Sequence, residues 1–238
     1  VNEYLPTAVN IQENLPMAQF EIVAREGLKM VRCVIDNETV RAESGALHYM
    51  RGHIEMASAA PSVGGFLKSV VTRENIFRPT YQGRGEIFFG PPIFGEYEIL
   101  ELAGEEWILE QGSYVCSDAA VEIGVWRNKA LSAFFGGEGW FQTSVKGTGK
   151  VVMQAPGQVQ RIELRGEKLS VDGKFALART AGLNFEVQKA TKSIIGSLSS
   201  GEGLLTTFAG TGTVLIAPVP NVYQNLLNLI TGAMPKAK

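Results

Sequence analysis

Hydrophobic positions along this chain recur with a period of two. Phe20 and Ile22, Ile54 and Met56, Val121 and Ile123, and Leu183 and Phe185 alternate with polar or small neighbours, and Met30 to Ile35 form a compact apolar run. That spacing puts every second side chain on the same side of an extended backbone, the mark of a strand with one buried face. In the stretch after Trp140, the residues Trp140, Gln142 and Ser144 share one face and Phe141, Thr143 and Val145 the other, with Val151, Val152 and Met153 read as a return strand. The pattern predicts an all-β protein. The one helical period lies at the C-terminus, where Val222, Leu226, Leu229 and Ile230 make a stripe behind Asn221 as N-cap.

The strands come in repeated sets. The stretch GGEGWFQTSVKGTGKVVMQAP, from Gly136 to Pro156, has weaker copies in RENIFRPTYQGRGEIFFGPP, from Arg73 to Pro92, and GEGLLTTFAGTGTVLIAP, from Gly201 to Pro218. The copies superpose through the pairs Gly83/Gly85, Gly147/Gly149 and Gly210/Gly212, each of which is read as the structural turn of a tight hairpin. A second set of copies, Asn37-Glu38-Thr39-Val40, Gly104-Glu105-Glu106-Trp107 and Gly166-Glu167-Lys168-Leu169, reads as three more hairpin connections, since Asn and Gly adopt left-handed backbone cheaply. Gly45, Gly112 and Gly173 follow, each before a long extended segment, and GGFLKSVV, KALSAFF and KSIIGSLSS align at Leu67, Leu131 and Ile195 as short helical turns or irregular crossovers.

The expected organisation is therefore an extension over residues 1–16, a single β domain over 17–220 with repeats at about 28–92, 93–156 and 157–218, and a helical tail over 221–238. A unit of this size leaves an apolar face exposed when alone, so three units sharing one core are expected.

Composition narrows the function. Lys and Arg total 22 against 24 Asp and Glu, a net charge of −2 that gives no broad attraction for nucleic acid or anionic membrane. Two cysteines, Cys33 and Cys116, do not make a disulfide framework and lack a C-x-x-C spacing. No stretch of about 18 apolar residues predicts a membrane span, and the first residues lack a secretory pattern, so a cytoplasmic protein is expected.

The set GALHYM, GEGWFQTSVKGTGKVVMQAPG and GEGLLTTFAGTGTVLIAP resembles the mitochondrial-biogenesis family called "altered inheritance of mitochondria", whose members have a domain similar to the tryptophan RNA-binding attenuation protein. The likeness runs from about Phe20 to Pro218. It implies a double-stranded β-helix or β-sandwich built from a repeated unit, and it supplies no catalytic residue. The first copy departs from it, with Arg73-Glu74-Asn75 in place of Gly-Glu-Gly.

Three constellations could carry chemistry. Gly147-Thr148-Gly149-Lys150 has the glycines and lysine of a phosphate loop but runs into the strand Val151-Val152-Met153, where such a loop needs a helix. His48, His53 and Glu55 could hold a metal in the manner of a cupin-like enzyme if Gly52 makes a bulge that brings His48 round; otherwise the histidines are solvated or hydrogen bonded. Glu74, Glu138 and Glu202 occupy matching places in the repeats, either as turn-stabilising carboxylates or as a ligand site. No nucleophile elbow or catalytic-cysteine context is present. The expectation is a non-catalytic β scaffold with no cofactor and no metal, working by binding or assembly as a homo-oligomer. Its alternatives are a small-molecule or RNA-binding module and a metalloenzyme using His48, His53 and Glu55.

Overall fold

The computed structural model describes residues 17–25, 28–58, 78–90, 95–128, 140–172, 175–189 and 204–219. The expected N-terminal extension, the crossovers at Leu67, Leu131 and Ile195, the carboxylates Glu74, Glu138 and Glu202, and the C-terminal helix lie outside the described residues. Those described form twelve strands and no helix: β1 (Gln19–Arg25), β2 (Leu28–Ala42), β3 (Leu47–Ala57), β4 (Thr80–Phe89), β5 (Glu96–Leu109), β6 (Tyr114–Asp118), β7 (Glu122–Asn128), β8 (Trp140–Ala155), β9 (Gln160–Asp172), β10 (Ala176–Thr180), β11 (Asn184–Lys189) and β12 (Leu204–Ile216). All join one antiparallel sheet in the order β11-β12-β10-β5-β8-β6-β2-β4-β3, with β1 on β2, β7 on β8 and β9 on β12.

One pairing scheme recurs around β4, β8 and β12. Each takes a long strand on one side, β2, β5 and β9 respectively. On its other side it takes β3, or β6 and β7, or β10 and β11. Apolar residues from these strands fill three clusters, around Tyr81, Ile87 and Phe89, around Leu109, Val145 and Met153, and around Leu164, Phe208 and Val214.

The chain does not turn where hairpins are expected. Gly83/Gly85, Gly147/Gly149 and Gly210/Gly212 lie inside β4, β8 and β12, and the Asn37, Gly104 and Gly166 motifs lie inside β2, β5 and β9. The two sets of motifs meet as bulges. Asn37 and Glu38 oppose Gly83 between the pairs Asp36/Arg84 and Thr39/Gln82. Gly104 and Glu105 oppose Gly147. Gly166 and Glu167 oppose Gly210. An extra residue bends a long strand without ending it, which is why left-handed residues here signal a bend and not a reversal. Asn37 has φ 72°, Gly104 108° and Gly166 95°. The following Glu closes each bulge by accepting from the backbone two residues back: Glu38 from Asp36 N–H, Glu105 from Ala103 N–H at 2.8 Å and Glu167 from Arg165 N–H at 2.8 Å.

Candidate interaction surface

The second glycine of each G-x-G pair has its own neighbour. A Cβ on Gly149 would stand 3.1 Å from Asp118 Cβ and 3.1 Å from Val121 Cγ2. Asp118 folds over that gap, and its Oδ2 accepts from Lys150 N–H at 2.7 Å while Oδ1 accepts from Ala18 N–H at 3.2 Å. Burial holds this carboxyl above its ordinary value, and the two backbone donors counter only part of that effect. In the third set Thr180 takes the same place, with Oγ1 accepting from Thr213 N–H at 3.1 Å over Gly212. The Gly147-Lys150 segment is thus strand backbone whose Lys150 N–H is already engaged, and a phosphate cradle does not form there.

In the first set the equivalent of Asp118 and Thr180 is Arg51, which turns outward and pairs with the Glu86 carboxylate. Arg32 donates to the same carboxylate through Nε at 2.9 Å and to Glu21 at 3.0 Å. These bonds, Arg32's first, hold Glu86 below the ordinary carboxylate range. The cluster clips β3 onto β4, and β4 onto β2 and β1, at the end of the sheet.

On β3, Gly52 pairs in register with Gly85, and the irregularity falls at His48, between Leu47 and Tyr49. The bulge needed at Gly52 to unite the histidines is therefore absent. His53 lies opposite Arg84 and Glu55 opposite Gln82. The His48 ring lies beside Gly90. Five residues of strand separate the histidines by about 17 Å, too far to share an ion. Among the described residues, no group of His, Cys, Asp and Glu is arranged to hold a metal.

A pocket of about 180 Å³ lies between the turns at Gly45 and Gly112, lined by Glu43, Tyr114 and Gln154 among others. Ligand pockets usually run from about 300 Å³ upward. Cys33 and Cys116 are buried free thiols in the first core cluster, and burial pushes both well above the usual thiol range. Among the described residues no helix is long and apolar enough to cross a membrane.

Among the described residues β3 pairs only with β4, and it exposes Tyr49, Met50 and Met56. Tyr49 stacks on Phe88 with ring centroids 4.3 Å apart, extending the apolar surface onto β4. Alternation in the sequence could not find this surface, because it says which residues share a face and not whether a neighbour covers that face.

Comparison with known proteins agrees with this architecture. An uncharacterised protein of Streptococcus pyogenes serotype M6 is 26% identical over 157 residues, 65% of this chain and 63% of that protein, so the chain spans less than two thirds of that relative. A crystal structure of a Streptococcus pyogenes protein matches with a TM-score of 0.72 at 19% identity, covering 91% of this chain and 100% of the other, a likeness of fold. The model of the family described as mitochondrial biogenesis AIM24 matches residues 20–219, from β1 to just past β12. The chain belongs to the mitochondrial biogenesis AIM24 family.

Proposed function

We propose that this protein is a non-catalytic β scaffold that acts through contacts made by its sheet, and that it works as a homo-oligomer. The observation that carries the reading is β3, which among the described residues has a partner on one side only and exposes Tyr49, Met50 and Met56. A long edge strand with apolar side chains is a template for another chain, and proteins that remain monomeric normally blunt or cover such an edge. The separation of His48 from His53 lends no support to the metalloenzyme reading. Sedimentation velocity across a hundredfold range of concentration tests the proposal. An assembly that dissociates on dilution, or one stable throughout, supports it. A monomer at every concentration contradicts it.

A further inference from the structure

The pairing scheme has two internal joints and one that is missing. In the first joint β6 pairs with β2, Val40 opposite Asp118, Arg41 opposite Ser117 and Ala42 opposite Cys116. In the second β10 pairs with β5, Trp107 opposite Thr180, Ile108 opposite Arg179 and Leu109 opposite Ala178. The flanking backbone bonds match as well: Glu43 N–H donates to the Val115 carbonyl and Ala119 N–H to the Thr39 carbonyl, as Glu110 N–H does to Leu177 and Ala181 N–H to Glu106. Each joint thus sets the strand that follows a bulge against the first strand after a turn in the next set.

Continuing the scheme once more sets β9, in the third set, against β3, in the first. The bulges and the G-x-G pairs fix the register, which places Leu169 opposite Arg51, Ser170 opposite Met50 and Val171 opposite Tyr49. The chain does not make this joint, since among the described residues β9 pairs only with β12 and β3 only with β4. Side-chain exposure marks the same gap. Tyr49 is 51% exposed, whereas its counterparts Cys116 and Ala178 are 0% and 5%; Met50 is 41% exposed, whereas Ser117 and Arg179 are 0% and 3%. Positions that a neighbouring strand buries twice within the chain are bare where the series starts. At the other end Ser170 is exposed, although its counterpart Ile108 is buried.

We infer that a second copy of this chain fills the gap, the β3 edge of one copy pairing with the β9 edge of the next in the register Arg51/Leu169, Met50/Ser170 and Tyr49/Val171. The inference rests on the scaffold reading and specifies its surface and partner. Such contact is head to tail, because the two edges differ, and it builds a ring or an open array according to the rotation between copies. Among the described residues the outer edges of β1, β7 and β11 also lack a strand partner, but no joint inside the chain uses them, so the pairing scheme supplies no partner for them.

Backbone parity supplies the test. In β6 the groups of Val115 and Ala119 face the joint, so on β3 the Met50 N–H faces outward, and on β9 the Ser170 N–H does. Proline at either position removes an outward donor and leaves the ladders within the chain intact. Masses of wild type, Met50→Pro, Ser170→Pro and their equimolar mixture are measured by light scattering. Each variant alone is expected to be a monomer and the mixture a dimer of twice that mass, since each variant keeps the edge that the other lacks. A variant that assembles like wild type, or a mixture that stays monomeric, overturns the inference. If both variants assemble like wild type, the scaffold reading survives and this joint does not; a monomeric wild type sinks both. A second measurement does not depend on how proline is tolerated. Arg51→Cys and Leu169→Cys chains, mixed and oxidised, should form a disulfide-linked heterodimer on a non-reducing gel, because opposed residues in this register lie about 4.5–5.5 Å apart at Cα. No heterodimer, or Arg51→Cys linking to itself as readily, overturns the pairing of β3 with β9.

Discussion

Gly149 and Gly147 stand two residues apart on β8 with similar backbone, φ 141° and 112°, and differ in what surrounds them. An alanine at Gly147 meets only the Ala120 carbonyl oxygen, at 3.5 Å, so Gly147→Ala should cost the left-handed backbone alone, about 1–3 kcal/mol. At Gly149 the new Cβ meets Asp118 Cβ, Asp118 Oδ2 and Val121 Cγ2, all at 3.1 Å. Val121 is fully buried and has nowhere to go, so Asp118 must move and release Lys150 N–H. Loss of this partly buried hydrogen bond adds about 1 kcal/mol. For a chain of this size each kcal/mol shifts the melting temperature by about 2–4 °C, so Gly149→Ala should melt at least about 2 °C below Gly147→Ala. Thermal melting followed by circular dichroism reads the difference. In an Asp118→Ala background the gap between the two alanine variants should shrink, since the displaced bond is already gone. Equal melting of the two variants, or a gap that persists without Asp118, would show that the second glycine does not serve the Asp118 contact.

The same carboxyl gives a pH signature. Its value in the folded chain is raised above the ordinary 3.8, so its contribution is fully present below 3.8 and falls as pH rises through the raised value. The stability of wild type relative to Asp118→Asn should therefore decline as pH rises from 3.8 through the raised value, and a flat or rising difference in denaturant titrations contradicts the burial argument. Cys33 and Cys116, buried and held as thiols, should resist a thiol reagent in the native protein and react fully in denaturant; rapid labelling of either without unfolding refutes their placement. With a net charge of −2, the protein should not shift RNA in a gel at physiological salt, and a shift at micromolar protein that weakens as salt rises would reverse that expectation.

The strands were legible in the sequence because alternation is a local property, and the three-fold spacing of Gly83, Gly147 and Gly210 revealed which segments correspond. The error lay in what those glycines do. A left-handed residue marks a tight turn and a bulge alike, and the difference is decided by the partner strand, where Asn37, Gly104 and Gly166 each supply the extra residue. Each motif is visible in the sequence separately, and nothing local says that they face each other. Asp118 has no sequence signal for a related reason: Arg51, Asp118 and Thr180 hold the same place with different chemistries, so no repeated letter points to it. Alternation groups His53 with Glu55 but does not locate the irregularity in β3, which falls at His48 and not at Gly52. The exposure of Tyr49 and Met50 depends on a strand that does not arrive, which one chain's sequence cannot display.

Hydrogen exchange followed by mass spectrometry tests the assembly most directly, comparing the protein at high concentration with a dilute sample or with Met50→Pro. The account predicts that amides in the Tyr49–Gly52 and Lys168–Val171 segments become protected together on assembly, while those of β7 and β11 exchange at the same rate in both states. Protection confined to β7 or β11, or assembly that leaves both β3 and β9 exchanging as in the monomer, would contradict it.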